Sequence, residues 1–285
     1  MGKNMRSVGL IAVAVIAIAV LAGAAASLFR AASPPPPPGG ITLLADNSFQ
    51  SVLEDIVDAF QRRSNVRIDA RFGSSPELLQ ELEESPGAAD LFLPGGAYFV
   101  EQAGNLIEDS VQFAWAVPVL LVQGGNPEDI ESVADLARPG LEVGVADPNG
   151  SLLGRMTPAI LEHHGVDREA FEANVVFTSG TDPELGNAIR LGRVDAAIVW
   201  ESMAHHVLRG DIVPIPPDEE VLAAIAIGLS AGTLHADAAR EFMTFLQGRA
   251  AQSLFEQYHY ATTPPPLGGP EPEDNDDELI ETVFG

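Results

Sequence analysis

Three times along this chain a short run of mostly apolar residues leads into a turn of hydroxyl or amide side chains and then into a helical pattern, an order that admits few folds. The runs Ile41–Leu44, Arg67–Phe72 and Glu142–Val145 give way to Asp46-Asn47-Ser48, to Gly73-Ser74-Ser75-Pro76 and to Asp147-Pro148-Asn149-Gly150-Ser151. Continuous apolar strands are those covered on both faces, and helices between successive strands are the crossovers of a parallel sheet. Further strands are predicted at Leu91–Leu93, Val117–Val122, Val175–Phe177, Ala196–Trp200 and Leu222–Leu229, which makes the fold class α/β.

The helix after the first run is marked by Val52, Ile56, Val57, Ala59 and Phe60, with Ser48 or Ser51 as its cap and Glu54 three residues beyond Ser51. Pro76 suits the first turn of the second helix, which continues through Leu78, Leu79 and Leu82, and Ile160 and Leu161 mark the third. Helix N-termini at the carboxyl ends of strands open onto the crevice where α/β sheets bind ligands. Their unpaired N–H groups and partial positive charge hold a dehydrated anion without any Lys or Arg, and serine hydroxyls add neutral donors. From spacing alone, Ser48 and Ser75 read equally well as ordinary helix caps.

Two proline-rich segments bound this region. Residues 1–30 carry Lys3 and Arg6 and then an uncharged run from Val8 to Phe29, which reads as a signal peptide cut near Ala24-Ala25-Ala26 or as an uncleaved signal anchor. Residues 31–40, with Pro34 to Pro38, form a stiff linker, and residues 264–285 form an acidic tail whose composition cannot build a core. Cysteine is absent, which excludes disulfides, thiolate metal sites and a cysteine-linked lipid anchor. Beyond residue 40 the chain holds twelve basic residues against all 41 acidic ones, a formal charge of −29 that argues against nucleic-acid binding.

The segments ITLLADNSFQSVLEDIVDAF, RFGSSPELLQELEESPGAADLFL, LEVGVADPNGSLLG, RVDAAIVW and AAREFMTFLQGRAAQSLFEQYHY follow one another from Ile41 onward, and together they resemble the molybdate-binding proteins of ABC importers. The resemblance implies the type II solute-binding fold of two α/β lobes, one of residues 41–118 plus 217–263 and the other of residues 119–216. It implies an interlobe oxyanion, molybdate, tungstate or a related tetrahedral one, held by serine hydroxyls and backbone N–H groups. By position, Ser48 and Ser75 match the first-lobe serines, and Leu153 falls where a second-lobe N–H meets the ligand. Asp182 is the nearest match to another backbone donor, because Pro183 has no N–H. Trp200 stands where the family commonly has a tyrosine, as an indole donor or as a wall of the cleft. Asp46 and Asn47 replace small apolar residues of the family, so Asp46 would either repel an anion or cap the turn and point away. The same resemblance implies an exported, periplasmic monomer that meets the membrane subunits of an importer and carries no cofactor.

Other readings remain open from the residues. A membrane-anchored sensor would suit the same fold. A metal cation would be sought at His163-His164 and His205-His206, although adjacent helical histidines point apart and read as surface residues. Tyr98, Tyr258 and Tyr260 are the only tyrosines, with the last two in the terminal helix region, which counts against a tyrosine-bound iron. The nucleophile-elbow, phosphate-loop and zinc-protease motifs are absent. Gly180-Thr181 and Glu201 have no partner at catalytic spacing, so no enzyme is expected.

Overall fold

The computed structural model describes residues 40–265 apart from Ala88 and residues 217–220, with the backbone alone at Asp182. The chain divides into two units, residues 1–37 and residues 38–285, and the first lies outside the described residues. The leader or anchor, nearly all of the linker and most of the acidic tail lie outside them as well. Among the described residues no helix is long and apolar enough to cross a membrane.

In chain order the elements are β1 (Gly40–Asp46), a 3-10 turn (Asn47–Phe49), α1 (Gln50–Gln61), β2 (Arg67–Gly73), α2 (Ser75–Glu84), β3 (Leu91–Leu93), α3 (Ala97–Ala103), β4 (Ile107–Ala116) and β5 (Pro118–Gln123). They continue with β6 (Val143–Ala146), α4 (Leu152–His163), α5 (Arg168–Asn174), β7 (Val175–Ser179), α6 (Asp182–Arg190), β8 (Ala196–Trp200) and α7 (Glu201–Ala204). The last are β9 (Gly210–Pro214), β10 (Ala223–Ser230), α8 (Ala236–Leu246) and α9 (Arg249–Gln257).

The strands build two sheets, ordered β2-β1-β3-β10-β4 and β7-β6-β8-β5-β9. Each carries three parallel strands and then one strand that runs against both its neighbours, β10 in the first and β5 in the second. Helices α1, α2, α3, α8 and α9 pack with the first sheet, and α4, α6 and α7 with the second. The result is the two-lobed α/β architecture expected from the sequence, with one correction: neither sheet is purely parallel. The antiparallel strands arise where the chain changes sheets. β4 ends at Ala116 and β5 starts at Pro118 in the other sheet, while β10 returns to the first after β9. Val117 at the first crossing accepts a hydrogen bond from the Glu201 N–H at 2.8 Å, and the Trp115–Ala261 bridge ties the end of the described chain to β4.

Central strands β1, β5 and β8 are buried almost throughout, whereas edge strands β2 and β7 alternate between the core and water. Helix α1 turns Val52, Leu53, Ile56 and Phe60 into the core, where Phe60 meets Phe242 edge-on with ring centres 5.1 Å apart. Its start corrects the capping expectation. Neither Ser48 nor Ser51 caps α1; the cap position is Phe49, and Ser48 sits inside the preceding 3-10 turn, which Asp46 caps.

Candidate functional site

All six parallel strands deliver their carboxyl ends to one cleft of about 800 Å³ between the sheets. Asp46 and Ser48 reach it from the end of β1, Ser75 from the turn after β2, and Gly95 from the turn after β3. On the facing side come Gly150 to Leu152 after β6, Gly180 and Thr181 after β7, and Trp200 at the end of β8. This is the crevice beyond the strand ends where an open α/β sheet has unpaired helix N-termini to offer.

On the first-sheet side the donors converge on a single group. Oδ1 of Asp46 accepts the Ser48 N–H at 3.0 Å and the Ser48 hydroxyl at 2.8 Å. Oδ2 accepts the Ser75 N–H at 2.9 Å and, in a short contact, the Ser75 hydroxyl. The Gly95 N–H donates to Ser75 Oγ at 2.8 Å, so the one hydroxyl proton of Ser75 is left for Asp46. Asp46 therefore does not point away; it joins the turns after β1 and β2 through both of the serines that the sequence singles out. Ser74, next to it in this turn, caps α2: its N–H and hydroxyl both donate to Glu77, and these bonds hold the Glu77 carboxyl below the usual range. Behind Ser48, the Tyr260 hydroxyl donates to its carbonyl at 3.2 Å.

The second-sheet side is built from α4 and α6. Ser151 occupies the cap position of α4 and Leu152 its first turn, and the first intrahelical bond runs from the Arg155 N–H to the Ser151 carbonyl at 3.3 Å. The N–H groups of Leu152, Leu153 and Gly154 precede that bond and so lack an i−4 partner. Leu153 is fully buried, main chain included, and does not line the cleft, whose wall at this point is Gly150, Ser151 and Leu152. Gly154 is obligatory: a Cβ there would lie 2.5–2.6 Å from the backbone of residues 146–148. Asp182 opens α6 behind the cap residue Thr181, and Pro183 lines the cleft. Trp200, at 7% exposure, closes the floor as part of β8.

Leu152 also crosses the cleft. Its side chain packs against the first-sheet cluster that includes Leu44, Leu78, Phe92 and Phe99, and it comes so close to Gly96 that a Cβ there would meet its Cδ2 at 2.2 Å. One turn on, the Arg155 guanidinium lies 5.7 Å from the Tyr98 ring centre and 5.8 Å from that of Phe99.

Sequence reasoning missed several lining residues. Arg190 and Asn187 line the cleft from α6, with the Asn187 side-chain oxygen accepting from Arg190 at 3.1 Å, and His206, Tyr258 and Tyr260 line it as well. The helical spacing of Asn187 and Arg190 placed them on one face, but nothing in the sequence said which way that face turned. His206 lies after α7 and the two tyrosines after α9, whose approach depends on the two chain crossings. Among the described residues no group of three or more His, Cys, Asp or Glu side chains is arranged to hold a metal ion.

Two sheets of this order, joined by chain crossings and sharing one cleft at their strand ends, define a two-lobed periplasmic-type binding protein. The chain belongs to the bacterial extracellular solute-binding protein family, whose model matches residues 41–261. It is a binding protein and not an enzyme. It is 27% identical to the molybdate-binding protein ModA of Mycobacterium bovis over 260 residues, which covers 90% of this chain and 97% of that one. The periplasmic molybdate-binding protein of Azotobacter vinelandii superposes with a TM-score of 0.64 at 16% identity, covering 78% of this chain and 99% of that chain. The sulfate-binding protein SubI of Mycobacterium tuberculosis gives 0.64 at 20% identity, over 79% and 88%.

Proposed function

We propose that this protein is the solute-capturing component of an ABC importer and that its ligand is a tetrahedral oxyanion, molybdate or tungstate, bound between the lobes. One observation carries the reading: four donors from Ser48 and Ser75 converge on a single anionic group, at 2.8–3.0 Å for the three longer bonds. A donor set without Lys or Arg that holds one carboxylate has the chemistry to hold an oxyanion. The molybdate-binding relative, alignable over 90% of the chain, supports the same ligand.

In this reading lobes of residues 41–118 with 217–263 and of residues 119–216 close on the anion, and the N–H groups at Leu153 and Asp182 complete its shell from the second lobe. Trp200 forms the wall beneath it. Residues 1–30 export the chain and either leave it or anchor it at the membrane, where the closed form meets the importer's membrane subunits. A second reading, an anion carrying an organic group, draws on the volume of the cleft and on Arg190 beyond the serines.

Calorimetric titration of the full-length chain with molybdate, tungstate, sulfate and phosphate tests the proposal. Molybdate or tungstate is expected to bind, and Ser48→Ala with Ser75→Ala to weaken binding by about tenfold, since the hydroxyls exchange one anionic acceptor for another and only the difference, about 1–2 kcal/mol, is lost. No heat with any of the four, or binding that the double variant keeps, would overturn it.

A further inference from the structure

We propose that Asp46 is a built-in competitor for the oxyanion donors, and thereby the residue that decides which anions enter this site. The inference rests on the oxyanion reading above and adds a specificity element to it. Each oxygen of the carboxylate receives two donors, one N–H and one hydroxyl, which fills the acceptor positions a carboxylate has. The serines are equally committed. Ser48 and Ser75 have one hydroxyl proton each, both directed at Asp46, and Gly95 fixes the Ser75 hydroxyl from behind.

An anion arriving here meets a full negative charge and no free hydrogen on either serine. It binds only by displacing the carboxylate, which is half-buried and opens onto the cleft. The affinity observed is then the intrinsic affinity reduced by the fraction of molecules in which Asp46 has let go. The competitor is tethered, so its effective concentration at the donors is high and independent of the medium. Selectivity follows from the exchange. A dianion with four equivalent oxygens gains more from the same donors than a monocarboxylate does and displaces Asp46, whereas monoanions are held out.

Calorimetry on the full-length chain and on Asp46→Ala, with molybdate and with formate as probes, tests this. Asp46→Ala is expected to bind molybdate at least tenfold more tightly than the parent, and to bind formate, a free replacement for the lost carboxylate, where the parent gives no heat. Asp46→Asn, which keeps the shape but accepts through one oxygen only, is expected to fall between the two and serves if the alanine variant does not fold. Molybdate affinity that is equal or weaker in folded variants overturns the inference and leaves the oxyanion reading standing. Absence of molybdate binding in parent and variants alike overturns both.

Discussion

Gly154 shows how much of the site hangs on a single missing atom. With the backbone of residues 146–148 at 2.5–2.6 Å from any Cβ, alanine there must push the start of α4 off its turn. Gly154→Ala is expected to cost about 1–3 kcal/mol in a denaturant melt and to weaken ligand binding with it, since the same displacement moves the N–H groups of Leu152 and Leu153. The hydroxyl-bearing turns that the sequence offered brought Ser48 and Ser75 to the cleft wall, because a turn at a strand's carboxyl end has nowhere else to go. The orientation of Asp46 was not legible. A carboxylate two residues before a serine suits a capping turn or an open position equally, and only the neighbouring turn after β2 supplies the second pair of donors that draws it inward.

Two elements from different halves meet at a histidine pair. His205, just after α7, stacks on His259, just after α9, with ring centres 3.5 Å apart and planes 13° from parallel. Burial, and then the proximity of His205, lowers the His259 pKa from its ordinary 6.5, with Glu201 opposing and His206 adding to the shift. Both folded and unfolded chains hold this ring neutral well above that value. As pH falls through the ordinary value, the unfolded chain takes up a proton that the folded one resists, so folding stability declines toward acid. Thermal melts between about pH 7.5 and 5.5 should show the transition temperature falling with pH, and His259→Asn, which tolerates the positive φ of 60° at this position, should flatten that slope. At the same scale, the strands that escaped sequence reading were β4 and β9, and both lie at sheet edges. β4 opens with Glu108, Asp109 and Ser110 facing water, and such a polar edge carries no apolar run to announce it. The mixed direction of the sheets was hidden for a related reason: the local patterns mark strands but not the sheet that each one joins.

At the scale of the whole molecule, a formal charge of −26 at neutral pH surrounds a site proposed for an anion. The far field slows the approach of a like-charged ligand, and salt screens that field over about 8 Å at physiological strength while leaving short hydrogen bonds in place. Stopped-flow measurements should therefore show molybdate association accelerating as an inert monovalent salt is raised, with little change in dissociation. The order of the first sheet has a consequence for how such a chain matures. β10 lies between β3 and β4, yet it is residues 223–230 of a chain in which those neighbours were complete by residue 116. The first sheet cannot close until more than a hundred further residues have been synthesised, and its rate of assembly is set by that long loop and not by local propensity. Until then the inner edges of β3 and β4 stand open. The second sheet is drawn from the continuous stretch 118–214 and has all its strands before β10 is made, so the half that emerges first is the half that finishes last.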